Sequence, residues 1–145
     1  TLDIFGEITD YDYFDKIKKI INNKKNINYK GFIRKNLYQR LSNYDVFVHP
    51  SISENFGLVI LESLYSGLFP LVNKKLNWTI FDKNGFGYSS SFTNENLKKI
   101  IKRLNDKSKI LKSKKFKNKI KKFLIKNYDW EMIKKEYFLQ YSNLT

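Results

Sequence analysis

A strand, a helix and a second strand follow one another between residues 46 and 73, and this unit constrains the fold more than any other part of the sequence. Residues 46–48 predict the first strand and residues 69–73 the second. Pro50 cannot continue a strand ladder, and Gly67 is suited to end the helix between the strands. Strands joined by a helix pair in parallel through a right-handed crossover. The unit therefore predicts the α/β class.

Strands alternate with helices in the rest of the chain as well. Upstream, the sequence predicts a strand at 2–5, a strand at 26–29, a short helix at 34–42, and, after the first strand, a helix whose apolar face holds Phe14, Ile17, Ile20 and Ile21. Downstream it predicts a turn at 84–87, a short strand at Tyr88 and a helix, capped by Thr93 or Asn94, that holds Leu97. We therefore expect a doubly wound parallel sheet of the Rossmann-like type. Ligands of such sheets lie at the carboxyl ends of the strands, where Gly6, Gly31 and the loop 50–57 fall.

Two glutamates, Glu54 and Glu62, are separated by seven residues across the junction between that loop and the following helix. The helix is expected to begin near Phe56 or Gly57, and its first N–H groups can hold an anion such as phosphate. Glu54 would lie beside the anion. Glu62, one to two turns into the helix at roughly 1.5 Å per residue, would reach a neighbouring part of the same ligand. Hydroxyls at both ends with phosphate between them describe a nucleotide sugar.

The same segment carries a resemblance to a known family. Residues 44–51, 54–58 and 61–67 are similar to the donor-binding domain of retaining GT-B glycosyltransferases, in the group that includes glycogen synthase-like enzymes and lipopolysaccharide or capsule sugar transferases. The similarity extends to residues 2–6, to 30–33 and to a closing segment with Tyr128, Asp129, Trp130, Glu131 and Tyr137. The resemblance implies the C-terminal half of a GT-B fold.

The resemblance also implies roles for individual residues. Glu54 would contact the donor sugar hydroxyls and help stabilise charge at the anomeric centre, which makes it the expected catalytic residue, and Glu62 would accept hydrogen bonds from the ribose. The donor diphosphate and sugar would be held by the backbone of Asn55, Phe56, Gly57 and Leu58. Gly31 and Ile33 would lie beside the nucleotide base of the donor. No metal or other cofactor is implied, because helix N–H groups and basic residues would hold the leaving-group charge.

The implied reaction moves a sugar from a nucleoside diphosphate to a glycan or lipid-linked acceptor with retention. Members of the family carry an Arg and a Lys on the first strand-and-loop unit of this domain, and this sequence begins at what resembles the second strand. We therefore expect residues 1–145 to be one nucleotide-sugar-binding domain, a fragment without that unit and without the acceptor domain. Such a fragment would bind a donor weakly and would not transfer sugar alone. The chain departs from the family at Ser63, because members of the family usually have an alanine directly after the second glutamate.

Two other functions stay open from the sequence. A sugar-nucleotide epimerase of the same architecture is less favoured, because the two-glutamate motif belongs to the transferases. A basic amphipathic module without catalysis is the alternative outside enzymes. The single histidine, His49, has either a structural role or a donor contact. Asp10 and Asp12 resemble the metal-binding pair of another glycosyltransferase fold, but they precede a helix and are expected to form its cap.

The positive charge lies mainly in the last third of the chain. Residues 97–145 hold 16 of the 28 basic and 4 of the 14 acidic residues, a net charge of +12 against +2 for residues 1–96. Three explanations of this charge compete. The first is that lysine is the default surface residue of this chain, which has no alanine and is rich in Lys, Asn and Ile. Attraction to an anionic membrane, at about 1 kcal/mol per Lys, comes second. Nucleic acid comes last and is not expected as a partner, because Arg34, Arg40 and Arg103 are the only arginines.

Location follows only weakly from composition. The chain has no cysteine, so it offers neither a disulfide framework nor a thiolate metal site. No apolar run approaches the ~20 residues of a membrane span. A cytoplasmic protein, peripheral at the inner face of the membrane, is the expectation.

Overall fold

The chain divides into two units, residues 1–37 and residues 38–145, in this computed structural model, which describes residues 1–33 and 35–129. The first unit holds strand β1 (Leu2–Phe5), helix α1 (Tyr11–Asn22) and strand β2 (Ile27–Gly31). β1 and β2 pair in parallel, with Leu2 opposite Ile27. The predicted strand, helix and strand are therefore confirmed, with the second strand shifted by one to two residues.

Helix α1 begins at its predicted cap, but one residue of its predicted apolar face is exposed. The carboxylate of Asp10 accepts a hydrogen bond from the N–H of Tyr13 at 2.8 Å, so the expected cap forms. Phe14, Ile17 and Ile21 are half-buried, whereas Ile20 is 59% exposed. The inward prediction for Ile20 is wrong because, at 3.6 residues per turn, this position lies about 90° from the centre of the stripe formed by the other three.

The second unit is built on three parallel strands in the order β3-β4-β5. Helix α2 (Leu37–Leu41) precedes them, and the elements that follow are β3 (Val46–His49), α3 (Leu58–Tyr65), β4 (Phe69–Asn73), α4 (Thr79–Lys83) and β5 (Tyr88–Ser90). The predicted strand, helix and strand between residues 46 and 73 are confirmed, and every residue of the central strand β4 is buried. Helix α2 is shorter than the predicted 34–42, and Arg34 lies outside the described residues.

The alternating elements and the parallel pairing of the predicted doubly wound type are confirmed, and each unit contains its own group of paired strands. One sheet contains β1 and β2, and the other contains β3, β4 and β5. The convergence of Gly6, Gly31 and the loop 50–57 on one sheet edge stays a prediction.

Three further helices follow β5 in the part of the chain that the structure describes. They are α5 (Asn94–Asp106), α6 (Ser108–Leu111) and α7 (Lys114–Tyr128), and Thr93 caps α5 as expected. Helix α7 packs against α3 and buries Ile120 and Leu124 there. The core cluster continues under the loop after β4, with Val72, Leu76, Trp78, Phe81 and Phe86. The expected closing segment with Trp130, Glu131 and Tyr137 lies outside the described residues.

Candidate functional site

The loop 50–57 leads from the end of β3 into the N-terminus of α3. Gly57 is the N-cap residue, with a left-handed φ of 71° and no side-chain cap bond. A Cβ at this position would lie 3.1 Å from both Trp78 Nε1 and Ile60 Cδ1, so the chain needs a glycine here. Within the described part of the chain, no group accepts a hydrogen bond from the N–H of Leu58 or Val59. This helix end therefore presents free donors.

Glu54 is held in that loop by a histidine. Its Oε1 lies 2.7 Å from Nε2 of His49, and the His49 ring stacks on Phe47 with centroids 5.6 Å apart. The hydrogen bond with His49 holds the pKa of the Glu54 carboxyl below its usual range, and a bond with the Ser51 hydroxyl acts in the same direction. Glu54 is therefore an ionised acceptor at neutral pH. His49, for which the sequence left two roles open, positions this carboxylate.

Glu54 borders a cavity of about 490 Å³, which we call the Glu54 pocket. One wall is the loop 50–57, the second is the loop after β4, and the third is the end of α7. The cavity combines a carboxylate, a lysine, side-chain amides and aromatic rings: Ile52, Ser53, Glu54, Asn55, Phe56, Lys75, Leu76, Asn77, Trp78 and Tyr128. Polar groups beside aromatic rings in a cavity of this size suit a small polyhydroxylated ligand.

Glu62 borders a second, smaller cavity of about 260 Å³, which we call the Glu62 pocket. Its walls come from α2, α3 and the end of α7, and consist of Tyr38, Leu61, Glu62, Tyr65, Leu124, Ile125, Tyr128 and Asp129. The rings of Tyr38 and Tyr65 meet edge to face at 5.5 Å. Tyr128 borders both pockets, and burial raises the pKa of its hydroxyl above the usual range, so it stays a proton donor.

The residues proposed from the sequence lie in different places. Glu54, Asn55 and Phe56 line the Glu54 pocket, and Gly57 is buried behind it at the cap of α3. Leu58 is the first residue of α3 and is 63% exposed, whereas Glu62 lies in the second pocket. Gly31 ends β2 in the first unit with a left-handed φ of 73°, and Ile33 follows it, half-buried. Their expected part in base binding stays a prediction.

Sequence reasoning missed the wall that comes after β4. Lys75 and Asn77 line the Glu54 pocket, and Trp78 lines it while also belonging to the core. A usable signal was present, because residues 74–78 directly follow a fully buried strand, and ligands lie at the carboxyl ends of parallel strands. Lys74 and Lys75 give no distinctive signal of their own in a chain with 28 basic residues.

Two other kinds of feature can be stated for the described residues. Residues 1–33 and 35–129 contain no group of three or more His, Cys, Asp or Glu side chains that could hold a metal ion. In the same ranges, none of the helices combines the length and the apolar character that crossing a membrane requires.

Comparison with known proteins bears on the family. Neither the curated proteins nor the solved structures gave a match. A family described as "Glycosyl transferases group 1" matches residues 1–123, which include β1 to β5, both glutamates and most of α7. The alternating elements and parallel sheets are those of a Rossmann-like half of a GT-B fold. This chain belongs to the group 1 glycosyl transferases, which are retaining enzymes.

Proposed function

We propose that this domain binds the nucleoside-diphosphate-sugar donor of a transferase that moves the sugar, with retention, to a glycan or lipid-linked acceptor. The observation that carries the proposal is the arrangement around α3. An ionised Glu54 lies in the loop before the helix. The N–H groups at the start of the helix have no partner among the described residues, and Glu62 is the fifth residue of the helix. Family membership implies a nucleotide sugar as donor.

Each part of the donor has a matching feature in this arrangement. The N–H groups of Leu58 and Val59, at the positive end of the helix dipole, suit the diphosphate. The Glu54 pocket, at about 490 Å³, has room for a hexose, and its carboxylate accepts hydrogen bonds from sugar hydroxyls. The Glu62 carboxylate, in the smaller pocket with three tyrosines, suits the ribose diol. The diphosphate would thus lie between two sites of hydroxyl recognition.

Removal of the Glu62 carboxylate tests this assignment. Hydrogen bonds to a charged group contribute about 1.5–3 kcal/mol each, so Glu62→Ala should weaken nucleoside-diphosphate binding roughly tenfold or more with little loss of fold. Calorimetric titration of both proteins measures the change. Glu95→Ala is the matched control, since Glu95 is an exposed helical glutamate outside both pockets. Equal affinity of Glu62→Ala and wild type would remove Glu62 from the site.

We further propose that residues 1–145 act as the donor half of a two-domain enzyme. The acceptor domain and the basic residues that the resemblance implies for the first strand-and-loop unit would then come from outside this sequence. On this basis the isolated chain binds donor and does not transfer the sugar.

Association with the inner face of a membrane is a second element of the proposal, and the exposed lysines of α7 support it. Lys114, Lys115 and Lys122 are exposed on this helix, and residues 97–145 carry a net charge of +12. A lipid-linked acceptor would be met at such a surface. Lys119 is exposed as well, but its Nζ lies 5.5 Å from the centroid of the Phe86 ring, so reversing its charge would also remove a cation–π contact.

Sedimentation with anionic vesicles tests the lysines. The wild-type domain should sediment at low salt, and binding should fade as the Debye length contracts from ~10 Å at 0.1 M to ~3 Å at 1 M. Lys114→Glu, Lys115→Glu and Lys122→Glu together should abolish sedimentation, while the same change at the exposed Lys16, Lys18 and Lys19 of α1 should have a smaller effect. If wild type stays in solution at low salt, the membrane proposal is wrong.

A further inference from the structure

One cation in the wall of the Glu54 pocket has no role in the proposed function. Lys75 lines the cavity from the loop after β4, on a wall separate from the loop 50–57 that carries Glu54. Among the described residues, the ion pairs join His49 to Glu54, Lys99 to Glu95 and Lys112 to Asp45, and none includes Lys75. The pocket is therefore lined by an ionised carboxylate bonded to His49 and by a lysine that has no carboxylate partner in that part of the chain.

The backbone that carries Lys75 is fixed by a buried amide. Asn73, at the end of β4, is 8% exposed. Its Nδ2 donates to the carbonyl of Pro50 at 3.3 Å, and its Oδ1 accepts from the N–H of Lys75 at 3.1 Å. One side chain thus ties the loop with Glu54 to the loop with Lys75. The backbone position of Lys75 in the pocket wall is therefore set by the fold.

Lysine is the default surface residue in this chain, so the placement of Lys75 needs a comparison. Lys74 precedes it and is also exposed, but Lys74 does not line the cavity, and its N–H donates to the carbonyl of Ser90 at 2.9 Å. The two residues carry the same charge and differ in what they face. Lys74 is therefore a control that the sequence itself provides.

The chemistry of the pocket indicates the kind of group that Lys75 would meet. An anion placed near the ionised Glu54 alone would be repelled, whereas a lysine in the same cavity wall would offset that repulsion and offer three N–H donors. Hydrogen bonds between an ammonium and a phosphate or carboxylate are of the stronger, charge-assisted kind. Asn55 and Asn77, which line the same cavity, carry amide groups that can form hydrogen bonds with neutral hydroxyls around the anion.

We propose that Lys75 determines specificity in the Glu54 pocket by binding an anionic group of the ligand there. The identification of that ligand as a sugar donor rests on the proposed function. The anionic group is then either a phosphate of the donor or the carboxylate of an acidic donor sugar. Asn73 acts as the positioning residue for this contact, through the backbone of Lys75.

Titration with small anions tests the proposal without a nucleoside. Inorganic pyrophosphate and glucuronate are each titrated into wild type, Lys75→Met and Lys74→Met at one fixed salt concentration, with binding followed by NMR. Lys75→Met should weaken binding of at least one anion fivefold or more, and Lys74→Met should change it less than twofold. Loss confined to pyrophosphate identifies the phosphate, and loss confined to glucuronate identifies a sugar acid. Equal thermal unfolding of the three proteins shows that the fold is unchanged.

Two results would overturn the proposal. One is equal affinity of Lys75→Met and Lys74→Met for both anions, and the other is failure of wild type to bind either anion at millimolar concentration. Neither result depends on nucleotide binding. A chain that binds pyrophosphate through Lys75 but binds no nucleoside diphosphate would contradict the proposed function and leave the role of Lys75 in place.

Discussion

Glu54→Gln is expected to lower kcat by ~10² or more in an enzyme that joins this domain to its acceptor domain, while the affinity for the free nucleoside diphosphate stays nearly the same. The proposed contact of Glu54 is with the sugar, so the nucleotide alone does not sense it. The carboxylate charge matters most when positive charge develops at the anomeric carbon, and an interaction made mainly in the transition state affects turnover more than ground-state binding.

Glutamine makes this test selective. It keeps the size of the side chain and retains an oxygen that can accept a hydrogen bond from His49, so the loop 50–57 should keep its conformation. Steady-state kinetics and nucleotide titration on the same protein give the two quantities. Equal losses of nucleotide affinity and turnover would assign Glu54 to binding only, and unchanged turnover would remove it from the site.

Phe81→Ala should destabilise the second unit by about 3–5 kcal/mol, the range observed when a buried phenylalanine is removed. Phe81 is 1% exposed, and its ring stacks on Trp78 with centroids 5.0 Å apart and planes 11° apart. The space left by the phenylalanine ring would therefore lie directly behind Trp78, which forms part of the wall of the Glu54 pocket. Since a domain has a total stability of order 5–15 kcal/mol, we expect a large drop in the urea midpoint and weaker ligand binding.

Phe32→Ala is the comparison for this core residue. Phe32 is the same residue type but 58% exposed, so its truncation should change the free energy of unfolding by only about 0.5 kcal/mol. Urea unfolding followed by circular dichroism measures both variants. Similar stability of Phe81→Ala and wild type would show that the packing around Trp78 contributes little.

Local signals in the sequence were sufficient for most of the elements. β1 and β4 have the predicted limits, and β3 extends the prediction only by His49. Asp10 and Thr93 cap α1 and α5 because their side chains satisfy N–H groups within three residues. After Tyr65 and the C-cap Ser66, Gly67 takes a left-handed φ of 82°, as expected at the end of α3. Each of these features depends on a short stretch of sequence.

The features that were missed depend on residues brought together by the fold. The bond between Asn73 and Pro50 spans 23 positions, and no periodicity indicates it. The pairing of His49 with Glu54 depends on how the loop after β3 turns. The second pocket around Glu62 needs α7, which comes more than 50 residues later in the chain. Sequence patterns therefore identified both glutamates but not the separate cavities in which they lie.

Titration of the wild-type chain with UDP and with GDP tests the central claim most directly. A donor-binding domain should bind at least one of these nucleotides saturably at one site. An excess of the unlabelled nucleotide should displace a labelled form of the same nucleotide. An epimerase would also bind nucleotide, whereas a basic amphipathic module would associate only with anionic vesicles or RNA and only at low salt. Saturable binding of UDP or GDP is the predicted result. Binding of neither, with purely salt-dependent association to polyanions, would contradict the assignment as a donor domain.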